Sequence, residues 1–281
     1  MDALLPGEIW IVILQVIIAG RNELHNKLYI NKRFLRLATL SVRVLTTRHK
    51  LTCNIISSMP NVSGLQVMQP GQFSDLRHIS TLVNIRHLTL KSVTMLFNLD
   101  KIPLKSLSLD ECFVDDIPLT VNHLVLIKHK QKLDLWQHTD LQYLRLHNCA
   151  PVVGYEHAKQ IHVDKTRMIS LACSNTLILC MNDTHYPWEF PQSLTRLDLV
   201  RCKTVAPLPA NLLQVRVVSA GRHVQIPDKV TALDISDTTI GSLPLGLKLL
   251  MIRGKPKHNI TMLTNLTSLH MPDYCLESWG R

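Results

Sequence analysis

The sequence predicts an α+β fold: a short helical segment over residues 1–45, then a parallel β-solenoid over residues 46–281 of about 11–12 short units with little helix. Three observations predict it. An apolar-x-x-apolar-x-apolar pattern returns about every 18 residues between Ile85 and Met271. A proline stands three residues ahead of many of its copies. The first 40 or so residues lack the pattern and carry apolar residues at helical spacing instead.

The N-terminal segment opens with Leu5-Pro6-Gly7-Glu8-Ile9, a helix-start signal: proline tolerates the first turn, and an acid favours the positive end of the helix dipole. Ile9, Ile13 and Ile17 recur at helical spacing, as do Leu24 and Leu28. The segment is apolar on more than one face, so its surplus face must meet the solenoid or another protein. Leu5, Pro6, Glu8, Ile9, Ile13, Leu14, Leu28, Phe34 and Leu37, with Ile30 and Lys32, fall in order on a pattern that resembles an F-box over about residues 4–40. The resemblance implies that these residues bind a Skp-type adaptor. The other reading is a helical cap that shields the first repeat, as solenoids require.

The repeat units begin at Ile85, Leu104, Val121, Leu141, Ala158, Ser174, Leu194, Leu212, Val230, Leu247 and Leu266, with apolar residues three and five places on. An earlier unit opens at Val62. The alternating part of each unit is a short strand with one face inward, and about 18 residues leave no room for a helix on the return path. Pro118, Pro191, Pro209, Pro227 and Pro244 each precede a first anchor by three residues, placing fixed-φ residues before the strand. Each unit therefore buries its anchors against its neighbours alone.

This pattern resembles the leucine-rich repeat, L-x-x-L-x-L-x-x-N/C-x-L, over about residues 60–275, and the short proline-led units are similar to the FNIP type and to repeats of bacterial effectors. The ninth place should hold a group that bonds the backbone at a turn. Cys112, Cys149, Cys202 and Asn182 fall there, Thr166 and Thr238 can substitute, and Val93, His129 and Ala220 depart. This makes Cys112, Cys149 and Cys202 buried turn residues rather than metal or redox groups. In this family the third and fifth places line the concave face. At its centre they give Tyr143, Arg145, His162, Arg196, Asp198 and Arg216, flanked by His87, His123 and Gln160. Arginine and tyrosine anchor interfaces well, and an acidic or phosphorylated segment complements the arginines. A solvated sheet face carries polar residues in any case, and Asp198 is placed to neutralise its neighbours.

Composition excludes several classes. Only 10 glycines argue against a nucleotide-binding α/β enzyme. The net charge of +10 is dispersed, and no nucleic-acid module appears. There is no P-loop, G-x-S-x-G, paired-carboxylate or zinc-finger spacing, so neither an enzyme nor a cofactor or metal protein is expected. Seven cysteines without C-x-x-C fit a reduced, cytoplasmic or nuclear compartment. The apolar run Ile9–Ala19 is too short to span a bilayer and lacks a basic start. Together the two resemblances imply a substrate receptor of an SCF-type cullin–RING ubiquitin ligase, the F-box holding the Skp adaptor and the repeats holding a target protein. A plain interaction scaffold with a helical cap, and a secreted recognition protein, are the alternatives.

Overall fold

The computed structural model describes residues 43–47, 61–68, 83–93, 99–100, 102–112, 114, 116–166, 175–183, 189–202, 207–220, 223–254 and 260–272. The N-terminal segment, with Leu5, Pro6, Glu8, Ile9, Ile13, Leu14, Leu28, Phe34 and Leu37, lies outside the described residues, as does the expected helix there. Among the described residues there is no helix. The chain groups into two units, Met1–Lys130 and Gln131–Arg281.

The first unit holds β1 (Val44–Thr47), β2 (Gly64–Val67), β3 (His87–Lys91), β4 (Ser106–Asp110) and β5 (His123–Ile127). Each pairs in parallel with the next. The register runs Leu45, Leu65, Leu88, Leu107 and Leu124 across the sheet, all buried, because the inward side chains of one strand pack on those of the next. The earlier unit at Val62 is present. A further strand, β1, precedes it and spans the expected boundary at 45/46.

The second unit holds β6 (Leu133–Asp134), β7 (Tyr143–His147), β8 (Val152–Val153), β9 (Gln160–Asp164), β10 (Ile178–Asn182), β11 (Arg196–Val200), β12 (Gln214–Val218), β13 (Ala232–Ser236), β14 (Leu249–Arg253) and β15 (Ser268–His270). Strands β7 and β9 to β15 form one parallel sheet in chain order. The two-residue strands β6 and β8 pair with each other on the return path. Anchors Leu144, Ile161, Leu179, Leu197, Val215, Leu233 and Leu250 form one buried row. Burying each contributes about 1.5–3 kcal/mol. In β15, where no further strand follows among the described residues, Leu269 is exposed.

One unit is not where the sequence places it. Of the expected anchors Ser174, Leu177 and Leu179, Ser174 lies outside the described residues; the anchors here are Thr176, Leu179 and Met181, since Leu179 pairs with Ile161 and Leu197. Thr176 is fully buried and its hydroxyl donates to the Ala158 carbonyl at 3.0 Å, while Leu177 is 42% exposed. A slip of two residues keeps every side chain on its own face, so alternation alone does not detect it. The slip also moves Asn182 from the ninth place to the seventh.

The prolines do more than interrupt helix. The anchor N–H donates three residues back to the proline carbonyl in five units: Val121 to Pro118, Leu194 to Pro191, Leu212 to Pro209, Val230 to Pro227 and Leu247 to Pro244, at 3.0–3.3 Å. Each proline thus opens a tight turn that delivers the chain to its strand. After the strand, the eighth place turns left-handed: Ser92, Glu111 and Lys128 in the first unit; Asn148, Lys165, Asp183, Arg201, Ser219, Asp237 and Gly254 in the second. From that conformation the backbone N–H reaches the next repeat, as in Lys165 to the Asn182 carbonyl at 3.0 Å and Arg201 to that of Val218 at 2.8 Å.

Candidate functional site

All six residues expected at the centre of the concave face lie on one sheet of the second unit. Tyr143 and Arg145 are on β7, His162 on β9, Arg196 and Asp198 on β11, and Arg216 on β12. Alternation turns them away from the buried anchors, and the parallel register sets Arg145 beside His162 and Asp198 beside Arg216. A concavity of about 520 Å³ brings Tyr143, Arg145, His162, Asp198 and Arg216 together. Arg196 does not line it.

The corrected register adds a residue that sequence reasoning missed. Cys180 on β10 stands between His162 and Asp198 in the same row and lines the concavity. Its thiol faces Asp198 Oδ2 at 3.5 Å. Burial first, and the Asp198 carboxylate second, push the Cys180 thiol up to about 12, so it stays protonated at neutral pH and is a poor nucleophile.

The rings of Tyr143 and His162 meet with centroids 5.2 Å apart at 38°. Gln160 Nε2 lies 2.7 Å from His162 Nε2. Burial, then the positive charge of Arg145, hold His162 below its ordinary value, with Asp198 pulling the other way. Burial raises the Tyr143 phenol, and Arg145 works against that rise.

The arginines are not equivalent. Arg196 Nη2 lies 3.1 Å from Asp198 Oδ2, and Arg196 Nε donates to Oδ1 at 3.4 Å. Arg216 Nε lies 3.2 Å from Asp234 Oδ2, and Arg253 approaches the same carboxylate at 3.8 Å. Asp198 therefore neutralises Arg196, and Arg216 finds its carboxylate one strand further on. On the rim, Arg201 forks onto Asp183 at 2.7 and 3.0 Å, and His147 Nδ1 sits 2.6 Å from Asp164 Oδ2. Among the described residues no carboxylate pairs with Arg145.

The ninth-place groups do what the repeat asks of them. Cys112 Sγ accepts from Val93 N at 3.4 Å, and its single S–H has the Leu90 and Asp110 carbonyls within reach at 3.3 and 3.2 Å. Cys202 Sγ donates to the Val200 carbonyl, and Cys149 Sγ to that of His147. Cys112 and Cys202 are buried and Cys149 is half-buried. Among the described residues no group of three or more histidines, cysteines or carboxylates is placed to hold a metal.

No family model matches the chain, and no curated protein matches it. Solved structures do. An internalin from Listeria monocytogenes aligns with a TM-score of 0.54 at 16% identity, covering 93% of this chain and 90% of that one. A leucine-rich-repeat protein from Leptospira interrogans aligns with a TM-score of 0.53 at 16% identity, covering 90% of this chain and 82% of that one. The leucine-rich-repeat fold is thus shared with both.

Proposed function

We propose that this chain is a non-catalytic leucine-rich-repeat interaction scaffold that receives a partner protein on the polar face of its second unit. The concavity lined by Tyr143, Arg145, His162, Cys180, Asp198 and Arg216 carries this reading: side chains able to hydrogen-bond stand over a fully buried row of anchors that fixes their positions. The use of the Cys112, Cys149 and Cys202 thiols as hydrogen-bond donors at the turns fits a reducing, intracellular setting.

The test is affinity capture with the full chain, read by mass spectrometry, comparing wild type with Tyr143→Ala/Arg145→Gln/His162→Ala and with Gln225→Ala/Lys229→Ala on the return path. A partner lost only with the first variant supports the reading. Partners retained by the first variant, or lost equally with both, overturn it.

A second reading is favoured by one observation, the ordered match of Leu5, Pro6, Glu8, Ile9, Ile13, Leu14, Leu28, Phe34 and Leu37 to the F-box pattern. On it the scaffold is the target-binding arm of an SCF-type ubiquitin ligase and residues 1–45 hold a Skp adaptor. Co-purification of the full chain with a Skp adaptor, abolished by Pro6→Ala/Ile9→Ala, tests it. Absence of any adaptor complex sinks this reading and leaves the scaffold reading intact.

A further inference from the structure

Three arginines in sequence suggest a broad cationic patch suited to an acidic or phosphorylated segment. The geometry points to something narrower. We propose that the concavity of the second unit is a receptor for a single carboxylate, an aspartate or glutamate side chain of an extended partner segment, with Arg145 as the cation that holds it.

The inference rests on the scaffold reading and follows from the pairing of charge. Arg196 hydrogen-bonds Asp198 and Arg201 hydrogen-bonds Asp183, while Arg216 is ion-paired to Asp234 at 3.2 Å without a hydrogen bond from its Nε. Asp164 Oδ2 lies 2.6 Å from His147 Nδ1, and its Oδ1 has no hydrogen-bond partner among the described residues. Among the described residues Arg145 is left without a carboxylate, exposed on β7, with His162 beside it on β9 and Tyr143 two residues back on its own strand. One uncompensated guanidinium matches one monoanion, and its planar fork donates two parallel hydrogen bonds to a carboxylate. A dianionic phosphate fits badly, because Asp164 and Asp198 also line the concavity and would face its second charge. The tilted Tyr143–His162 ring pair gives the methylene stem of an acidic side chain an apolar wall.

Occupancy has an electrostatic signature. The groups around His162 are Tyr143 and Arg145 from β7, Gln160 on its own strand, Cys180 from β10, and Arg196 and Asp198 from β11. A carboxylate on Arg145 cancels the nearest positive charge among them. His162 then takes up a proton more readily, so binding strengthens as pH falls below about 6.5 toward the lowered value of the free site.

The experiment is a nuclear magnetic resonance titration of the full chain at fixed ionic strength, following arginine Nε–H and histidine ring signals. The probes are the capped tripeptides N-acetyl-Ala-Glu-Ala-amide, its Gln counterpart and its phosphoserine counterpart. The Glu peptide is expected to shift the Arg145 and His162 signals saturably and to raise the His162 titration midpoint, while the Gln peptide does neither. Phosphoserine is expected to bind no more tightly than Glu, and Arg145→Gln to weaken the Glu peptide about tenfold or more. Tighter binding of phosphoserine, movement of Arg196 or Arg216 signals in place of Arg145, or no saturation by the Glu peptide overturns the proposal. If the Glu peptide fails while capture still depends on this face, the carboxylate inference falls and the scaffold reading stands. If the Glu peptide saturates while capture ignores this face, the reverse holds.

Discussion

The backbone N–H of Cys149 donates to Thr166 Oγ1 at 3.0 Å, and the same hydroxyl donates to the carbonyl of Asp164, also at 3.0 Å. One buried side chain thus satisfies a donor in the preceding repeat and an acceptor in its own. Thr238 repeats the arrangement with Ala220 N at 3.0 Å and the Ser236 carbonyl at 2.9 Å. Thr166→Val keeps the shape and strands both partners, at a cost of about 1–3 kcal/mol. Thr166→Ser is expected to retain most of the stability. Urea unfolding of both variants decides; equal midpoints would show that the ladder carries no weight.

The register of β10 makes an opposed pair of predictions. Leu179→Ala empties a fully buried site and should cost about 2–5 kcal/mol. Leu177→Ala trims a side chain 42% exposed and should change stability by less than about 0.5 kcal/mol. The reverse ranking in thermal melts would restore the register read from sequence.

Lys165 sits at φ 49°, where its Cβ is disfavoured. Lys165→Gly relieves that and should stabilise by about 0.5–1 kcal/mol, less than the full relief because glycine adds freedom to the unfolded chain. Lys165→Val should destabilise. Denaturant midpoints of the two variants on opposite sides of wild type are the expected result.

Gly154, at φ 76°, passes so close to the preceding turn that a Cβ would collide with the backbone nitrogen of Trp136 and stand 2.7 Å from the carbonyl carbon of Leu135. Leu135 N donates to the Val153 carbonyl at 2.9 Å alongside. Gly154→Ala must therefore open the β6–β8 pairing, at about 2 kcal/mol or more. A melting temperature matching wild type would contradict this close approach.

Acid should weaken the first unit. His129 is buried, with Nδ1 3.1 Å from the Cys112 carbonyl, and burial holds it below its ordinary value of 6.5. Burial and the neighbouring His87 lower His123 as well. In each case the unfolded chain takes the proton more readily. The stability is therefore present above about pH 6.5 and is lost as pH falls through that value toward the folded one. His129→Asn, which puts a non-titrating turn residue in the ninth place, should flatten the pH dependence of the melting temperature between 7 and 5. An unchanged slope would assign it to other groups.

Sequence made most of the sheet legible because its anchors are apolar and its period is short. Ile85 to Leu90 or Leu194 to Leu199 can be placed by eye. The proline turns were equally visible, since Pro191 and Pro209 stand at one offset from their anchors. What failed was the unit with a threonine in its first anchor place. A buried Thr176 bonded to a carbonyl looks polar in sequence, and Leu177 offered a more hydrophobic choice two residues away. That slip hid Cys180. Five of the six expected site residues share the concavity, yet their charges could not be read one by one. Arg216 and Asp234 lie 18 residues apart in the chain and become neighbours only through the β12–β13 register. The left-handed eighth places bear no common residue type, from Glu111 and Lys128 to Ser219, so composition does not mark them. Asn148, Asp183, Asp237 and Gly254 are of types that conformation favours, and the other six are not.

Ala158, Thr176, Leu194, Leu212 and Val230 follow one another at equal steps of 18 residues. Equal steps make the second unit editable by whole modules. Deleting residues 194–211 joins Ser193 to Leu212, so that the Pro191 turn closes on a leucine as before and the next left-handed corner falls on Ser219. The splice leaves the strand lattice unbroken and changes only the order of its slats: Arg196 and Asp198 drop out, and Arg216 comes to stand beside Cys180. Breadth and chemical order on this surface are thereby separate variables, open to rearrangement by duplication and loss of repeats without redesign of the core beneath.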